Sequence, residues 1–121
     1  TYAGNPLACV AALATLEIID DAFLTRAQTI GTRLFTALRG LQDRFTQIVD
    51  VRGLGAMVAM ELKEAADAER IVTKARERGL LLLLAGKGDV IRILVPLVID
   101  DADLDLALRR LAESCEVALA R

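Results

Sequence analysis

A chain of 121 residues with a formal net charge of -2 fits one domain, which we expect to span residues 1–121 and to bury a real core. Apolar residues make up 55% of the chain, yet there are only 3 Phe, 1 Tyr and no Trp, so the core must be largely aliphatic. The charge gives no general attraction for nucleic acid, and no basic cluster with interleaved aromatic residues is present. Nucleic-acid binding is therefore excluded.

The sequence also indicates the cellular compartment of the protein and whether it has a metal site. The sequence contains no uncharged apolar run that is long enough to span a membrane, and its first residues carry no basic region. We therefore expect no membrane helix, no signal peptide and a cytoplasmic location. Cys9 and Cys115 fall in helical patterns far apart, which favours two buried thiols over a disulfide. With no histidine and no clustered thiols, no metal site is expected. The absence of an initiator Met suggests an excised piece of a longer protein.

Two helices are predicted at the start of the chain. Asn5 followed by Pro6 is a strong helix opening, and the alanine-rich helix over residues 6–19 should pack closely on more than one side. Asp20 and Asp21 cap a second helix, which we expect Gly40 to weaken or end. Small and aliphatic residues form its buried stripe: Leu24, Ala27, Gly31, Leu34, Leu38 and Leu41.

The remaining chain alternates between strands and helices. Strands are predicted over residues 48–52 and 56–62, joined at Gly53 and Gly55, and further strands over residues 80–84 and from residue 90. A helix over residues 64–78 lies between the two pairs of strands, and a last helix, capped by Asp100, follows the second pair. The sequence therefore predicts an α+β fold in the order α-α-β-β-α-β-β-α, with a small antiparallel-rich sheet of about four strands and helices on one side.

The apolar stretch over residues 90–99 contains one charged residue, Arg92. The stretch resembles a strand buried on both faces, and a guanidinium cannot lose its charge there, so it needs an anionic partner. One interpretation is a structural pairing with Asp or Glu, or a side chain that reaches water past the strand end. The other is a receptor for the carboxylate of a small ligand, which accepts two parallel hydrogen bonds.

Three segments carry a family resemblance. Residues 1–8 (TYAGNPLA), 50–57 (DVRGLGAM) and 90–97 (VIRILVPL) resemble, in order and spacing, three successive motifs of the C-terminal third of the class III pyridoxal-phosphate aminotransferases. The resemblance covers essentially the whole chain, and the third motif is most similar to that of 4-aminobutyrate aminotransferases. It implies a C-terminal domain whose large cofactor-binding domain is absent.

The resemblance also implies roles for two residues. The arginine matching Arg92 grips the carboxylate beside the reacting carbon of the amino-acid or 2-oxo-acid substrate, and the threonine matching Thr1 helps to hold the pyridoxal 5'-phosphate of the neighbouring subunit. A homodimer, or self-association through exposed apolar surface, is therefore expected. The resemblance also implies that the segment over residues 51–57 is a structural hairpin, and we assign Arg52 no catalytic role.

One departure from the family limits what this chain can do. The lysine that forms the Schiff base with the cofactor lies upstream of the threonine motif, and Lys63, Lys74 and Lys87 do not match it. We therefore expect the chain alone to be inactive and to hold no cofactor. No residue within it is assigned as catalytic.

Three hypotheses for the function follow. The first is the C-terminal domain of an aminotransferase acting on 4-aminobutyrate, or a related ω-amino acid, and 2-oxoglutarate. The second is an independent α+β regulatory module that binds a small carboxylate through Arg92. The third is a structural or oligomerisation domain, which an Arg92 paired with an internal Asp or Glu would favour.

Overall fold

The computed structural model describes residues 3–120 of the chain. Its elements, in chain order, are α1 (Pro6–Ile18), α2 (Asp21–Arg44), β1 (Ile48–Leu54), β2 (Met57–Leu62), α3 (Ala65–Glu77), β3 (Leu83–Ala85), β4 (Val90–Leu94) and α4 (Asp101–Leu119). The predicted α+β class and the order of the elements are confirmed.

The predicted helix caps form, but one predicted helix end does not. Asn5, Asp20 and Asp100 each accept hydrogen bonds from backbone N–H groups in the first turn of the helix that follows. Of the expectation that Gly40 weakens or ends α2, the second part was wrong, because α2 continues to Arg44. The burial of Leu38 and Leu41 on either side of Gly40 outweighs the cost of a glycine in a helix, which is about 1 kcal/mol.

The four strands form one antiparallel sheet in the order β1-β2-β4-β3. The side chains of one face are buried beneath α2, α3 and α4, as predicted for helices on one side of the sheet: Val51, Val58, Met60, Ile91 and Ile93. We call the opposite face the open face. It carries the alternate residues, among them Arg52, Ala59 and Arg92, which lie side by side across β1, β2 and β4.

The last two strands are shorter than predicted. β4 ends at Leu94 rather than near residue 99, since Pro96 has no N–H to donate and its carbonyl instead accepts a hydrogen bond from Ile99 in a turn. β3 begins at Leu83 because the N–H of Leu80 still bonds back to the end of α3. The expectation that β4 is buried on both faces was also wrong, because helices cover only its inner face in the described part of the chain.

The first helix packs differently from the prediction. None of the 13 residues of α1 is buried, although close packing on more than one side was expected. Cys9 on α1 is consequently exposed, so the expectation of two buried thiols holds only for Cys115. Burial of Cys115 in α4 disfavours its thiolate and raises its pKa to about 12.

Gly31 allows α2 to cross the β1–β2 turn at close range. A Cβ at this position would lie 2.2 Å from the carbonyl oxygen of Gly55, which is far inside van der Waals contact. Gly55 itself has φ of +54°, a conformation that side chains other than glycine rarely adopt. The close crossing at Gly31 is therefore a contact between two backbones, and it fixes the hairpin of β1 and β2 against α2.

Gly31→Ala should destabilise the chain by about 1–3 kcal/mol, because the added methyl group meets backbone atoms that have no free space into which to move. Gly40→Ala is the matched control in the same helix, since a Cβ there meets nothing within 4 Å. This control should be stabilising by about 0.5–1 kcal/mol. Urea unfolding of both variants measures the difference, and equal free energies of unfolding would contradict the close crossing.

Candidate functional site

Arg92 lies in the middle of β4 on the open face of the sheet. Its Cα is paired with Ala59 of β2 on one side and with Leu83 of β3 on the other. The residue is exposed, and within residues 3–120 no hydrogen bond or ion pair involves its guanidinium. The interpretation in which Arg92 pairs with a structural Asp or Glu is therefore not supported.

The surroundings of Arg92 are apolar although they are exposed. Met57, Leu83 and Leu94 share its face of the sheet and are 56–60% exposed. A cavity of about 340 Å³ lies between β3, β4, α2 and α4; Arg92 contributes to its lining, which is mostly leucine and includes core residues of the covered face such as Leu34 and Leu104. An unpaired cation among exposed aliphatic side chains is unlike an ordinary solvated sheet face.

This arrangement suits the binding of a small organic acid. The guanidinium presents several N–H donors in one plane, and two of them match the two oxygens of a carboxylate. The apolar neighbours offer contact to the carbon chain of the acid and, once covered, would lower the local dielectric constant. The site can therefore orient a carboxylate, but its apolar neighbours supply no proton acceptor or nucleophile.

The loop that follows β4 is fixed by charged side chains of α2. Arg26 donates to the carbonyl oxygen of Ile99 at 2.7 Å and to the Asp101 carboxylate at 2.8 Å, and Arg33 donates to the same carboxylate at 2.6 Å. The hydrogen bond from Arg26, and then its charge, hold the pKa of Asp101 below its usual value. These contacts tie the start of α4, and thus the far end of the β4 loop, to α2.

The second predicted site residue, Thr1, lies outside the described residues. The nearest described feature is the start of α1, where Asn5 Oδ1 accepts hydrogen bonds from the N–H groups of Leu7 and Ala8 at 3.0 and 3.2 Å. Those two N–H groups are therefore already occupied. An interaction of this end of the chain with a phosphate would depend on other donors.

The three lysines set aside in the sequence analysis lie apart from Arg92. Lys74 is on α3 and its Nζ contacts the Glu77 carboxylate at 2.9 Å. Lys63 directly follows β2 and Lys87 lies in the glycine loop before β4, and both are exposed. None of these three lysines is paired with Arg92 across the sheet.

A cluster of charged residues on the open face escaped the sequence analysis. Arg52 Nη1 lies 2.7 Å from Asp50 Oδ2 and 2.5 Å from Glu61 Oε2. Both hydrogen bonds raise the pKa of Arg52, and the one with Asp50 has the larger effect. The alternation of β2 placed Glu61 on the face of Met57 and Ala59, but only the register of β1 against β2 shows that Asp50 lies opposite it.

No helix within residues 3–120 is long and apolar enough to cross a membrane. No group of three potential metal-ligating side chains comes together in the same part of the chain.

Comparison with known sequences gives consistent matches. A sequence profile described as aminotransferase class-III matches residues 1–114. The 5-aminovalerate aminotransferase DavT of Pseudomonas putida is 46% identical over 99% of this chain and 30% of its own length. The 4-aminobutyrate aminotransferase GabT of Escherichia coli is 41% identical over 98% of this chain and 30% of its own length.

Comparison with solved structures agrees. The ornithine aminotransferase of Toxoplasma gondii ME49 superposes with a TM-score of 0.84 at 34% identity, over 97% of this chain and 28% of that protein. An aminotransferase of Bacillus anthracis gives the same TM-score at 26% identity over 97% of this chain and 29% of that protein. The chain thus spans about 30% of the length of the curated relatives it matches.

Proposed function

Because the chain belongs to the class III aminotransferase family, we propose that it is the C-terminal domain of a longer pyridoxal-phosphate-dependent enzyme. That enzyme would transfer the amino group of an ω-amino acid, such as 4-aminobutyrate, to 2-oxoglutarate. Relatives named for 4-aminobutyrate and for 5-aminovalerate support this substrate class. The two donors differ by one methylene group, which an apolar pocket distinguishes only weakly.

The role of Arg92 in this proposal is to bind a substrate carboxylate. The observation that carries it is that, within residues 3–120, the Arg92 guanidinium has no ion pair or hydrogen bond and lies among exposed aliphatic side chains. We infer that another part of the intact enzyme covers the open face. The substrate would then meet Arg92 in a site of low dielectric constant, where a charge-assisted pair is strong. In this proposal, Arg92 is exposed in the structure because the covering part of the enzyme is absent from it.

Pyridoxal phosphate, in the intact enzyme, supplies the carbonyl group that accepts the amino group and returns it. The contribution proposed for this chain is Thr1, whose hydroxyl would contact the cofactor phosphate in the neighbouring subunit. Since Asn5 already occupies the N–H groups of Leu7 and Ala8, this contact would not draw on them. Lys63, Lys74 and Lys87 do not match the Schiff-base lysine of the family, so the chain alone should be inactive.

The cytoplasm is the compartment that we propose for the enzyme. Both Cys9 and Cys115 are free cysteines. Free thiols are typical of a reducing compartment.

Arg92→Ala in the full-length enzyme should lower kcat/KM for 2-oxoglutarate by about 30-fold or more, because losing one partner of a desolvated ion pair costs roughly 2–5 kcal/mol. Arg92→Lys should fall between this variant and the wild type, because lysine keeps the charge but not the planar pair of donors. Steady-state kinetics for both substrates measure the effect.

Arg109→Ala is the matched control for this experiment. Arg109 is exposed on α4, and no ion pair or hydrogen bond within residues 3–120 involves its side chain. The control should retain the wild-type kinetics. Unchanged kinetics for Arg92→Ala would show that Arg92 does not bind the substrate.

We further propose that α1 forms part of a subunit interface in a homodimer. Its apolar residues project outward around the helix, and Leu7, Val10, Leu13 and Leu16 are 62–80% exposed. Helices that are apolar on all sides are normally buried. The other three helices of the described chain all contain buried residues, whereas α1 contains none.

The chain by itself should therefore self-associate, and Leu13→Glu with Leu16→Glu should shift it toward monomer. Val98→Glu is the control, since Val98 is 79% exposed but lies in the loop after β4. Sedimentation velocity at several concentrations measures the distribution of species. A strict monomer at high concentration, or equal effects of the two sets of substitutions, would contradict an interface at α1.

A further inference from the structure

Two arginines share one row of the open face but differ in their partners. Arg52 and Arg92 are both paired with Ala59, from opposite sides of β2, so their Cα atoms are about 10 Å apart. Arg52 contacts two carboxylates, whereas Arg92 contacts none within residues 3–120. The unequal distribution of anions between them requires an explanation.

The two carboxylates lie together because of the strand register. Asp50 of β1 is paired with Glu61 of β2, and like charges directly opposite each other on a sheet are destabilising. Arg52 Nη1 contacts both carboxylates, at 2.7 and 2.5 Å, and this charge offsets their repulsion. Removing Arg52 would leave two adjacent anions with no cation between them.

Arg92 is a cation on the neighbouring strand that could replace Arg52 as the partner of Glu61. Glu61 lies two residues beyond Ala59 on β2, which makes it a diagonal neighbour of Arg92. Diagonal neighbours are about 7–8 Å apart, within the reach of two long side chains. Asp50 lies one strand farther away, on β1.

We propose that Arg52 is a positioning residue, which holds Glu61 away from Arg92 and thereby keeps the Arg92 guanidinium open to the carboxylate of the substrate. The inference rests on the proposed role of Arg92. Without Arg52, the Glu61 carboxylate pairs with Arg92 and competes with the substrate. An attached competitor acts at an effective concentration of about a millimolar or more, so it raises the KM of a dissolved acid.

The experiment is a double-mutant cycle in the full-length enzyme. Arg52→Met should raise the KM for 2-oxoglutarate about tenfold, with kcat changed less than about threefold, because the lost interaction is substrate binding. In a Glu61→Gln background, which removes the competing charge, the same substitution should leave KM unchanged within about twofold. An equal rise in both backgrounds would overturn the inference.

Asp50→Asn provides the matched background. It removes the other carboxylate bound by Arg52, but Asp50 is not a diagonal neighbour of Arg92. Arg52→Met should therefore still raise KM about tenfold in this background. If Asp50→Asn abolished the effect as Glu61→Gln does, a general change of charge would explain it and the inference would fail.

A chemical measurement separates this inference from the proposed function. The rate at which phenylglyoxal modifies Arg92, followed by peptide mass spectrometry against Arg109, should fall severalfold in Arg52→Met and recover when Glu61→Gln is added. This pattern with no change of KM would support the positioning of Glu61 and overturn the carboxylate-binding role of Arg92. An unchanged rate in Arg52→Met would overturn the inference itself.

Discussion

The antiparallel pairing of β2 with β4 is the constraint on which the rest of the site depends. It places Ala59 opposite Arg92 and thereby sends Ile91 and Ile93 into the core. Because side chains alternate, this one register fixes every charged group of the open face relative to the others. A shift by one residue would bury the guanidinium beneath the helices and expose two core isoleucines, at a cost that a small domain could not sustain.

The distribution of charge over the open face follows from that register. Between the two arginines lies Ala59, whose small side chain separates them without filling the row. On the β1 side, Asp50 and Glu61 contact Arg52. On the β4 side, the Arg92 guanidinium lies among aliphatic residues and has no ion pair or hydrogen bond within residues 3–120. A carboxylate that approaches this face is therefore attracted to Arg92, and any anion of the protein that reached Arg92 would oppose it.

Local patterns in the sequence were enough to predict the helices and strands, but not to predict what covers their outer surfaces. Asn5, Asp20 and Asp100 are short polar residues before apolar periodic runs, and the alternation of Val58, Met60 and Leu62 identifies the inner face of β2. These patterns depend on neighbours along the chain, so the fold class and the order of elements were predictable.

The wrong predictions of burial for β4 and α1, and the failure to predict the charged cluster at Arg52, have a common physical origin. The apolar residues of β4 and of α1 indicate burial, but the pattern does not say against which surface, and within residues 3–120 nothing covers Leu94 or Leu13. The cluster of Arg52 with Asp50 and Glu61 depends on the register across a hairpin, which a single sequence does not encode locally. Arg92 could be identified as unusual, but the freedom of its guanidinium could not be predicted.

The most direct measurement is a crystal structure of the full-length enzyme with 2-oxoglutarate bound. The account predicts that two nitrogens of the Arg92 guanidinium lie about 2.7–2.9 Å from the two oxygens of one substrate carboxylate, while Arg52 still contacts Glu61. A substrate carboxylate held by other residues, with Arg92 directed into solvent or paired with an anion of the protein, would contradict it.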